Sequence, residues 1–372
     1  MKISNFIKTS NPVRNKFLSG ANGVKKSNGV NIAINGFGRI GRTTFKALLE
    51  KKSPLRAGQA KNKIVAINDL TDVATLAHLL KHDTCYGKYK VGIGYKSDYL
   101  IVAGKKFRVL AEKDPAKLPW RELGVDIVLE CTGRFTKKEE AAAHIKAGAK
   151  KVIISAPSKS NNVKTIVLGV NENKTRKGDK VISMASCTTN CLAPVVDIIR
   201  QNFGIKKAIM TTVHSYTADQ NLVDGPHNDL RRARAAAVNI VPTTTGAAIA
   251  TTKTIPTLAG KFDGLAIRVP TSIVSLCDIV FITNKRVEEK KVNQVFKKAA
   301  RSAKYKDILE VTEEPLVSSD FIGNPASAIV DLSLTKVIGG DLVKVVAWYD
   351  NEWGYSCRLA ELVEYIAKRR LV

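Results

Sequence analysis

The chain has 372 residues, of which 44% are hydrophobic and 25% are charged, which is long enough and apolar enough for two domains with hydrophobic cores. No apolar run is long enough to cross a bilayer, so we expect no membrane span. The formal net charge of +27 first suggests a nucleic-acid-binding protein. The basic residues are spread over the whole chain, however, so we expect nucleic-acid binding to be at most secondary and attribute the charge to a lysine-rich composition and an anionic substrate.

Residues 1–29 contain lysine and arginine but no aspartate or glutamate, and they are rich in serine and asparagine. We expect them to form a disordered basic extension. Their composition is also typical of an organelle transit peptide, and an upstream start codon would produce the same pattern. We expect the protein to be in the cytoplasm; an organelle is the alternative if residues 1–29 are a transit peptide.

The first motif follows a short apolar strand at residues 30–34. It reads NGFGRIG at 35–41 and leads into helical spacing over residues 40–49. In this context the pattern G-x-G-x-x-G predicts a dinucleotide site. Gly36 permits the tight turn, Gly38 lets the backbone approach a pyrophosphate, and Gly41 allows the helix to pack closely on the strand. A plain tight turn is the alternative.

The second strand, at residues 63–67, leads into Asn68 and Asp69. An acid at this place binds the ribose hydroxyls and repels a 2′-phosphate, so we expect NAD and not NADP as the cofactor. The spacing from Gly41 is longer than the usual ~20 residues, and we attribute the excess to a loop insertion at residues 51–62. The alternative is that Asp69 serves only the turn.

Strand and helix patterns alternate in the rest of the first half. Helices are expected at residues 71–81 and 137–147, and strands at residues 126–130 and 151–155. This alternation predicts a parallel, doubly wound sheet.

The second half is strand-rich with few βαβ units. Strands are expected at residues 207–213, 264–269, 273–283, 328–334 and 342–348, and the chain closes with an amphipathic helix at residues 355–368. This pattern predicts an α+β domain with a mainly antiparallel sheet.

Six cysteines stand at positions 85, 131, 187, 191, 277 and 357, and none is part of a C-x-x-C pair. A chain of this length needs no disulfide, so this usage indicates a reducing compartment. Cys187 and Cys191 are four residues apart, but no histidine stands nearby at ligand spacing. We therefore expect no metal site.

Cys187 lies between an apolar strand at residues 180–184 and helical spacing over residues 190–200. The unpaired N–H groups and the dipole at a helix start favour a negative charge, so a thiol at this place ionises more easily and is a candidate nucleophile. Ser186 and Thr188 add hydroxyls that could hold an anionic group near the sulfur. The alternative is a buried structural cysteine followed by a capping cluster.

Further polar groups follow downstream. His214 comes directly after a strand, and Thr245 and Gly246 precede a helix rich in alanine and threonine, where an anion can bind. A dinucleotide fold, a thiol, a histidine and two anion sites together predict aldehyde oxidation through a thiohemiacetal and an acyl thioester, which phosphate or water then cleaves.

Eight motifs occur in one order: NGFGRIG at 35–41, NDL at 68–70, ASCTTNCLAP at 185–194, TTVHSYT at 211–217, DLRRARAAA at 229–237, PTTTGAA at 242–248, RVP at 268–270 and WYDNEWGYS at 348–356. With these motifs the chain resembles the phosphorylating glyceraldehyde-3-phosphate dehydrogenases from about residue 30 to its end. Met184 and the stretch Thr271-Ser272-Ile273 depart from the family's usual residues without removing a catalytic group.

The resemblance implies a role for each candidate residue. Cys187 is then the nucleophile and His214 its base, where a core histidine is the alternative. The implied NAD contacts, besides the three glycines, are Arg39, Ile40, Asp69, Lys113, Cys131 or Thr132, and Asn351. The implied contacts to inorganic phosphate are Ser186, Thr188, Thr245 and Gly246. Thr217 and Arg268 are implied to bind the substrate's C3 phosphate, with Arg232 near both sites; a structural ion pair for Arg268 and a solvated charge for Arg232 are the alternatives.

The resemblance also implies an architecture. A Rossmann-type NAD domain would cover residues 30–186 together with the C-terminal helix at 351–372, and a catalytic domain would cover residues 187–350. A homotetramer is implied, in which residues 218–234 pack against a neighbouring subunit's NAD site.

The implied reaction is glycolytic or gluconeogenic oxidation of D-glyceraldehyde 3-phosphate to 1,3-bisphosphoglycerate with NAD and inorganic phosphate. The closest alternative is erythrose-4-phosphate dehydrogenase, which releases the acid with water; two anion sites and Pro226 favour the phosphorylating enzyme. A non-enzymatic basic binding protein is the alternative from another class.

Overall fold

The computed structural model describes residues 29–50 and 62–372. The extension predicted for residues 1–29 and the insertion predicted for residues 51–62 therefore lie outside the described residues, apart from Gly29 and Asn62. None of the helices in the described ranges has both the length and the apolar character needed to span a membrane.

Strands and helices alternate in the first half of the described chain. The elements are β1 (Asn31–Asn35), α1 (Arg39–Leu49), β2 (Lys63–Asn68), α2 (Val73–Lys81), β3 (His82–Asp83), β4 (Gly87–Lys88), β5 (Ile93–Lys96), β6 (Tyr99–Val102), β7 (Lys105–Leu110), β8 (Ile127–Glu130), α3 (Lys138–Ala141), α4 (Ala143–Lys146), β9 (Lys151–Ile154), β10 (Lys164–Thr165) and β11 (Val181–Ser183). Nine strands form one sheet in the order β10-β11-β9-β8-β1-β2-β7-β6-β5. Its pairings are parallel except for β5–β6 and β6–β7 at one edge.

Both faces of this first sheet are buried, because successive side chains of a strand point to opposite faces. Ile32 and Ile34 of β1 belong to one hydrophobic cluster, and Ala33 between them belongs to a second cluster on the other face. The prediction of a doubly wound parallel sheet is thus confirmed. The helix predicted over residues 137–147 is instead two short helices, α3 and α4, which are divided at Ala142. There the Ile145 N–H donates to the carbonyl oxygen three residues earlier, that of Ala142, as in a 3₁₀-helix.

The second half of the chain builds a separate sheet. Its elements are α5 (Cys187–Phe203), β12 (Lys207–Ser215), β13 (Val241–Thr244), α6 (Ala247–Thr254), β14 (Phe262–Val269), β15 (Ser275–Ile282), α7 (Glu289–Ala300), β16 (Leu309–Thr312), β17 (Ala328–Ile338), β18 (Leu342–Tyr349) and α8 (Trp353–Lys368). Seven strands pair in the order β13-β14-β12-β15-β18-β17-β16. Four of the six pairings are antiparallel, which confirms the predicted sheet type.

Two helices connect the two sheets. α5 places Leu192, Val195 and Ile199 in the core cluster of the second sheet. α8 instead places Leu359 and Val363 in the cluster that covers one face of the first sheet. The residues that join the sheets, at the start of α5 and between β18 and α8, therefore lie beside the carboxyl ends of the first sheet's strands.

Candidate active site

A cavity of about 430 Å³ opens at the carboxyl ends of the central strands of the first sheet. Its lining comes from the segments that follow β1, β2, β7 and β8: Asn35, Gly36, Gly38, Asn68, Asp69, Leu70, Glu112, Lys113, Cys131, Thr132, Arg134 and Phe135. In open α/β sheets, ligands bind outside the carboxyl ends of the strands. This cavity is therefore the place where the predicted dinucleotide site should lie.

The three glycines meet different surroundings. Gly36 has φ +90°, and a Cβ there would lie 2.7 Å from the Thr132 nitrogen. A Cβ on Gly41 would collide with the carbonyl oxygen of Gly36. A Cβ on Gly38 would meet no atom within 4 Å, although this glycine lines the cavity. The backbone at Gly38 is therefore open to a ligand at the start of α1, which fits the pyrophosphate of a dinucleotide.

Asp69 lies half-buried at the cavity wall, and each of its carboxylate oxygens accepts a backbone hydrogen bond. The Phe37 N–H donates to Oδ2 at 2.7 Å, and the Thr71 N–H donates to Oδ1 at 3.0 Å. These bonds support the turn and also hold the carboxylate beside the cavity. The turn alternative and the ribose-binding interpretation are thus compatible.

The Arg39 side chain, implied to contact NAD, is bound by two carboxylates outside the cavity lining. Its guanidinium pairs with Glu352, with Nε 2.9 Å from Oε2, and with Asp83 at 2.8 Å from Nη1. Arg39 and Ile40 form the first turn of α1 and are not part of the cavity lining. The Arg39 side chain therefore joins α1 to the start of α8.

Lys113, Cys131 and Thr132 do line the cavity, as predicted for the NAD contacts. Asn351 lies outside its lining, in the connection between β18 and α8, and it is buried. Its Oδ1 accepts hydrogen bonds from the hydroxyls of Ser215 at 3.0 Å and Ser275 at 3.2 Å. The amide is thereby fixed to two strands of the second sheet.

Cys187 is the first residue of α5, and Ser186 is its N-cap. The Ser186 hydroxyl oxygen accepts a hydrogen bond from the Thr189 N–H at 3.1 Å. The residue before the cap, Ala185, has φ +57°, a strained conformation for a non-glycine residue. The cap and the candidate nucleophile therefore lie in one helical turn, and the reactive role of Cys187 stays a prediction.

His214 is the partner of Cys187. Its Nε2 lies 3.5 Å from Cys187 Sγ, and its Nδ1 lies 2.7 Å from the carbonyl oxygen of Ser215. A carbonyl only accepts, so Nδ1 carries the hydrogen and Nε2 presents its lone pair to the thiol. Arg268 Nη1 donates to the same carbonyl at 3.1 Å. The nearby contact between Arg268 and His214 Nδ1 joins two donors and is not a hydrogen bond.

Burial opposes a charge on either partner of this pair. It raises the pKa of the Cys187 thiol to about 11, although Arg268 and a hydrogen bond from Thr188 pull in the other direction. Burial, and then the charge of Arg268, lowers the pKa of His214 to about 3. The sequence predicts a thiol ionised beside an imidazolium. In this pocket the two charges can form only together, when one proton crosses from Sγ to Nε2, and the ion pair stays a prediction.

Two guanidinium groups lie close to this pair. Arg268 Nη1 is 3.4 Å from the Thr217 hydroxyl, and the Arg268 Nε is buried without a hydrogen-bond partner in the described part of the chain. Arg232 pairs with Asp219 and donates from Nε to the Thr243 hydroxyl at 2.9 Å. The positive charge of Arg232 contributes, after burial, to lowering the pKa of Arg268. Two neighbouring positive charges favour an anion between them.

The hydroxyl residues predicted to hold inorganic phosphate make hydrogen bonds within the protein. The Ser186 hydroxyl lies 2.8 Å from the Thr189 hydroxyl, and the Thr188 hydroxyl lies 2.9 Å from that of Tyr349. Either hydroxyl of each pair can be the donor. When Thr189 or Tyr349 donates, the hydroxyl hydrogen of Ser186 or Thr188 is left for an anion. Thr245 accepts from the Ala247 N–H at 3.2 Å, and Gly246 is exposed at the start of α6.

Three residues near the site lie inside the quoted motifs, but the sequence assigned them no role. The buried Tyr349 hydroxyl also contacts Thr212 at 2.9 Å, and the Tyr349 ring lies 6.0 Å from that of His214. Asn35 and Asn68 line the cavity, and each is the polar last residue of an apolar strand. That pattern is visible in the sequence and could have indicated them. Tyr349 gives no such signal, because it ends a strand far away along the chain.

The cysteines at the six positions are all free. Among residues 29–50 and 62–372, no group of three or more histidine, cysteine, aspartate or glutamate side chains is placed to hold a metal ion.

Comparisons with known proteins agree with this geometry. Residues 30–138 match the family model described as glyceraldehyde 3-phosphate dehydrogenase, NAD binding domain, and residues 186–351 match the model of its C-terminal domain. Glyceraldehyde-3-phosphate dehydrogenase of Streptomyces coelicolor is 53% identical over 91% of this chain and 99% of the relative. The protein of the same name from Geobacillus stearothermophilus is 53% identical over 92% and 99%, and glyceraldehyde-3-phosphate dehydrogenase 2 of Bacillus subtilis is 51% identical over 91% and 97%.

Proposed function

The chain belongs to the glyceraldehyde-3-phosphate dehydrogenase family, and we propose that Cys187 and His214 carry its reaction. It is an NAD-dependent oxidoreductase that acts on glyceraldehyde 3-phosphate. We propose that the product is 1,3-bisphosphoglycerate, formed with inorganic phosphate through a thioester on Cys187. The single observation that supports these roles is the contact of 3.5 Å between Cys187 Sγ and the lone pair of His214 Nε2.

The proposed steps use the chain's own groups. His214 Nε2 takes the thiol proton as Cys187 Sγ attacks the aldehyde carbon, and the proton passes to the carbonyl oxygen to give a thiohemiacetal. His214 then takes the hydroxyl proton while the carbon loses hydride, which leaves an acyl thioester. When bound, NAD supplies the hydride acceptor. Inorganic phosphate attacks the thioester carbon, and Cys187 leaves as the thiolate and regains its proton from His214.

We propose that the cofactor is held at the cavity of the first sheet. Gly36, Gly38 and the start of α1 would face the pyrophosphate, and Asp69 would face the ribose hydroxyls. Lys113, Cys131 and Thr132 would form the walls, and Asn351 would approach from the second sheet.

Erythrose-4-phosphate dehydrogenase is not favoured, because the named relatives share the glyceraldehyde-3-phosphate activity in their names. The decisive experiment is an assay of both aldehydes with and without inorganic phosphate. We expect fast NADH formation with glyceraldehyde 3-phosphate only when phosphate is present. Preference for erythrose 4-phosphate, or turnover that does not depend on phosphate, would overturn the proposal.

Arg268 provides a test of the substrate's phosphate site. Replacing Arg268 by Ala removes charge-assisted hydrogen bonds, each of which contributes roughly 1.5–3 kcal/mol. We expect kcat/KM for glyceraldehyde 3-phosphate to fall about ten- to a hundredfold or more, while kcat/KM for unphosphorylated glyceraldehyde changes far less. Steady-state kinetics with both aldehydes measures the difference.

Arg301→Ala is the matched control, because Arg301 is exposed at the end of α7 in the same half of the chain. This variant should leave both substrates unaffected. An equal loss of kcat/KM on the two aldehydes in the Arg268 variant would show that Arg268 supports the fold and not the phosphate.

Asp69 provides a test of cofactor choice. Two like charges about 4 Å apart near a protein surface repel by about 4 kcal/mol, so the Asp69 carboxylate should disfavour a 2′-phosphate by at least about a hundredfold in kcat/KM. We expect the wild type to prefer NAD by this margin, and Asp69→Asn to reduce the preference at least about tenfold. Parallel kinetics with NAD and NADP measures both ratios.

Asp98→Asn removes an exposed carboxylate from the same sheet without touching the cavity, so it should leave the NAD preference unchanged. Equal kcat/KM for the two cofactors in the wild type would contradict this assignment of Asp69.

The homotetramer remains part of the proposal. Residues 218–240 expose large apolar side chains, with Leu222 77%, Leu230 81% and Val238 77% accessible. Ile209 and Leu265 add apolar surface on the second sheet. Exposed apolar patches of this kind are typical of contacts between subunits. Light scattering at micromolar concentration should therefore give four times the mass of one chain.

We propose that residues 30–186 together with 351–372 form the NAD domain and that residues 187–350 form the catalytic domain. We propose the cytoplasm as the location, since six cysteines without a disulfide fit a reducing compartment.

A further inference from the structure

A buried carboxylate lies directly beneath the cofactor cavity and takes no part in the reaction. Glu130 is the last residue of β8 and is only 1% exposed. Its Oε1 accepts from the Thr132 N–H at 2.8 Å and from the Thr132 hydroxyl. Its Oε2 accepts from Asn35 Nδ2 at 2.6 Å and lies 3.1 Å from His144 Nε2. A carboxylate has no hydrogen to donate when ionised, so all four neighbours must present hydrogens to it.

His144 is held in the form that this arrangement needs. Trp120 Nε1 can only donate, and it lies 2.9 Å from His144 Nδ1, so Nδ1 accepts and the ring hydrogen is on Nε2. That hydrogen points to Glu130. The nearby contact of 3.4 Å between Asn35 Nδ2 and His144 Nε2 joins two donors and is not a hydrogen bond. His144 and Trp120 are both fully buried, and neither lines the cavity.

The same chain of hydrogen bonds continues across the floor of the cavity. Asn68 Nδ2 donates to Asn35 Oδ1 at 2.7 Å. The Asn68 side chain also makes two bonds of 2.9 Å with the backbone of Glu112, one in each direction. On the other side, the Arg134 N–H donates to the Thr132 hydroxyl at 3.0 Å. The segments after β1, β2, β7 and β8, which form the cavity wall, are therefore joined through one buried anion.

We propose that Glu130 is a positioning residue for NAD, and that His144 and Trp120 hold its carboxyl group in a fully bonded arrangement. Its role is to keep the Thr132 segment against the Gly36 turn, where the space is too tight for a Cβ, so that the cavity keeps its width. Buried polar networks of this kind are rigid only when each member is satisfied. The inference rests on the proposed NAD site and adds to it a group that the ligand does not touch.

Glu130→Gln tests the inference with little change in shape. The amide NH₂ replaces an acceptor and faces either the two Thr132 donors or the Asn35 and His144 donors, so one pair loses its bonds. We expect the dissociation constant for NAD, measured by calorimetry, to rise about ten- to a hundredfold. KM for the aldehyde and the rate of Cys187 alkylation without NAD should stay within about twofold of the wild type.

Two further variants separate positioning from general stability. Ile127→Ala weakens the same strand, since Ile127 is fully buried on the face opposite to Glu130, and it should lower the Tm without changing NAD affinity. Trp120→Phe keeps an aromatic ring but removes the donor that fixes the His144 hydrogen together with part of the buried indole, and it should weaken NAD binding about threefold or more. If Glu130→Gln does not fold, the NAD affinity of Trp120→Phe decides whether this network positions the cofactor site.

The inference is overturned if folded Glu130→Gln binds NAD like the wild type, or if Ile127→Ala weakens NAD binding equally. It is also overturned if Glu130→Gln does not fold and Trp120→Phe leaves the affinity unchanged, because Glu130 would then serve stability alone. A wild type that does not bind NAD would instead contradict the proposed function.

Discussion

Replacing Cys187 by Ala is expected to lower kcat for glyceraldehyde 3-phosphate by at least about 10⁴-fold, since the covalent route through the thiohemiacetal is then closed. The fold should persist, because Cys187 lies at the start of α5, is only partly buried at the edge of two hydrophobic clusters, and loses few atoms on replacement by Ala. Initial rates of NADH formation and the Tm of the variant measure the two effects separately.

Cys191→Ala is the matched control, one helical turn deeper in α5. Its sulfur is fully buried, and the hydrogen-bond acceptor near it is the Ala347 carbonyl at 3.9 Å. Burial raises the pKa of the Cys191 thiol well above its usual value. This variant should lose some stability but keep most of kcat.

Labelling gives the same test in the wild type. Iodoacetamide at neutral pH should modify Cys187 before the other five cysteines, and activity should fall in step with that labelling. If Cys191 or Cys131 reacts first while Cys187 remains free, Cys187 is not the reactive thiol.

The parts of the site that the sequence predicts are those built by neighbours along the chain. A strand, a glycine turn and a helix fall within residues 31–49, so spacing alone indicates the cavity floor at Gly36 and Gly38. The start of α5 is predicted for the same reason, because Ser186, Cys187 and Thr189 form one turn. The geometry of a turn or a helix cap depends on residues that are adjacent in the sequence, so a short motif is enough to predict it.

Arg39 shows why the rest could not be predicted. The resemblance implies that it contacts NAD, but the sequence does not show the partner of its side chain: the guanidinium is bound by Glu352, 313 residues further along the chain. Tyr349 is similar, since its hydroxyl lies between Thr188 and Thr212 only because β18 and α5 pack together. Contacts of this kind depend on how whole elements dock, which periodicity and spacing do not encode.

Replacing His214 by Asn is expected to lower kcat about 10²–10⁴-fold, the typical contribution of a general base. Asn retains a polar side chain of smaller size but offers no basic nitrogen to the Cys187 thiol. His78→Asn is the matched control, because His78 is an exposed residue of α2 in the first half of the chain. That variant should keep kcat near the wild-type value.

The pH dependence of Cys187 alkylation separates the ways in which His214 can act. Burial raises the pKa of the Cys187 thiol to about 11 and lowers that of His214 to about 3, so neither charge is favoured alone at pH 7. A thiolate and an imidazolium that form together attract each other by about 4 kcal/mol at roughly 4 Å, or about three pH units, which offsets only part of the gap of about eight units between the two pKa values. The N-terminus of α5 adds to the stability of the thiolate.

In His214→Asn this attraction is lost and burial still acts, so the thiol should ionise only at higher pH. The midpoint of the alkylation profile should therefore move upward by as much as about three units, while Cys187 remains modifiable at alkaline pH. A midpoint that does not move would contradict the ion pair. His214 would then accept the thiol proton only during the attack on the aldehyde, and the loss of kcat would remain as the sole effect of the substitution.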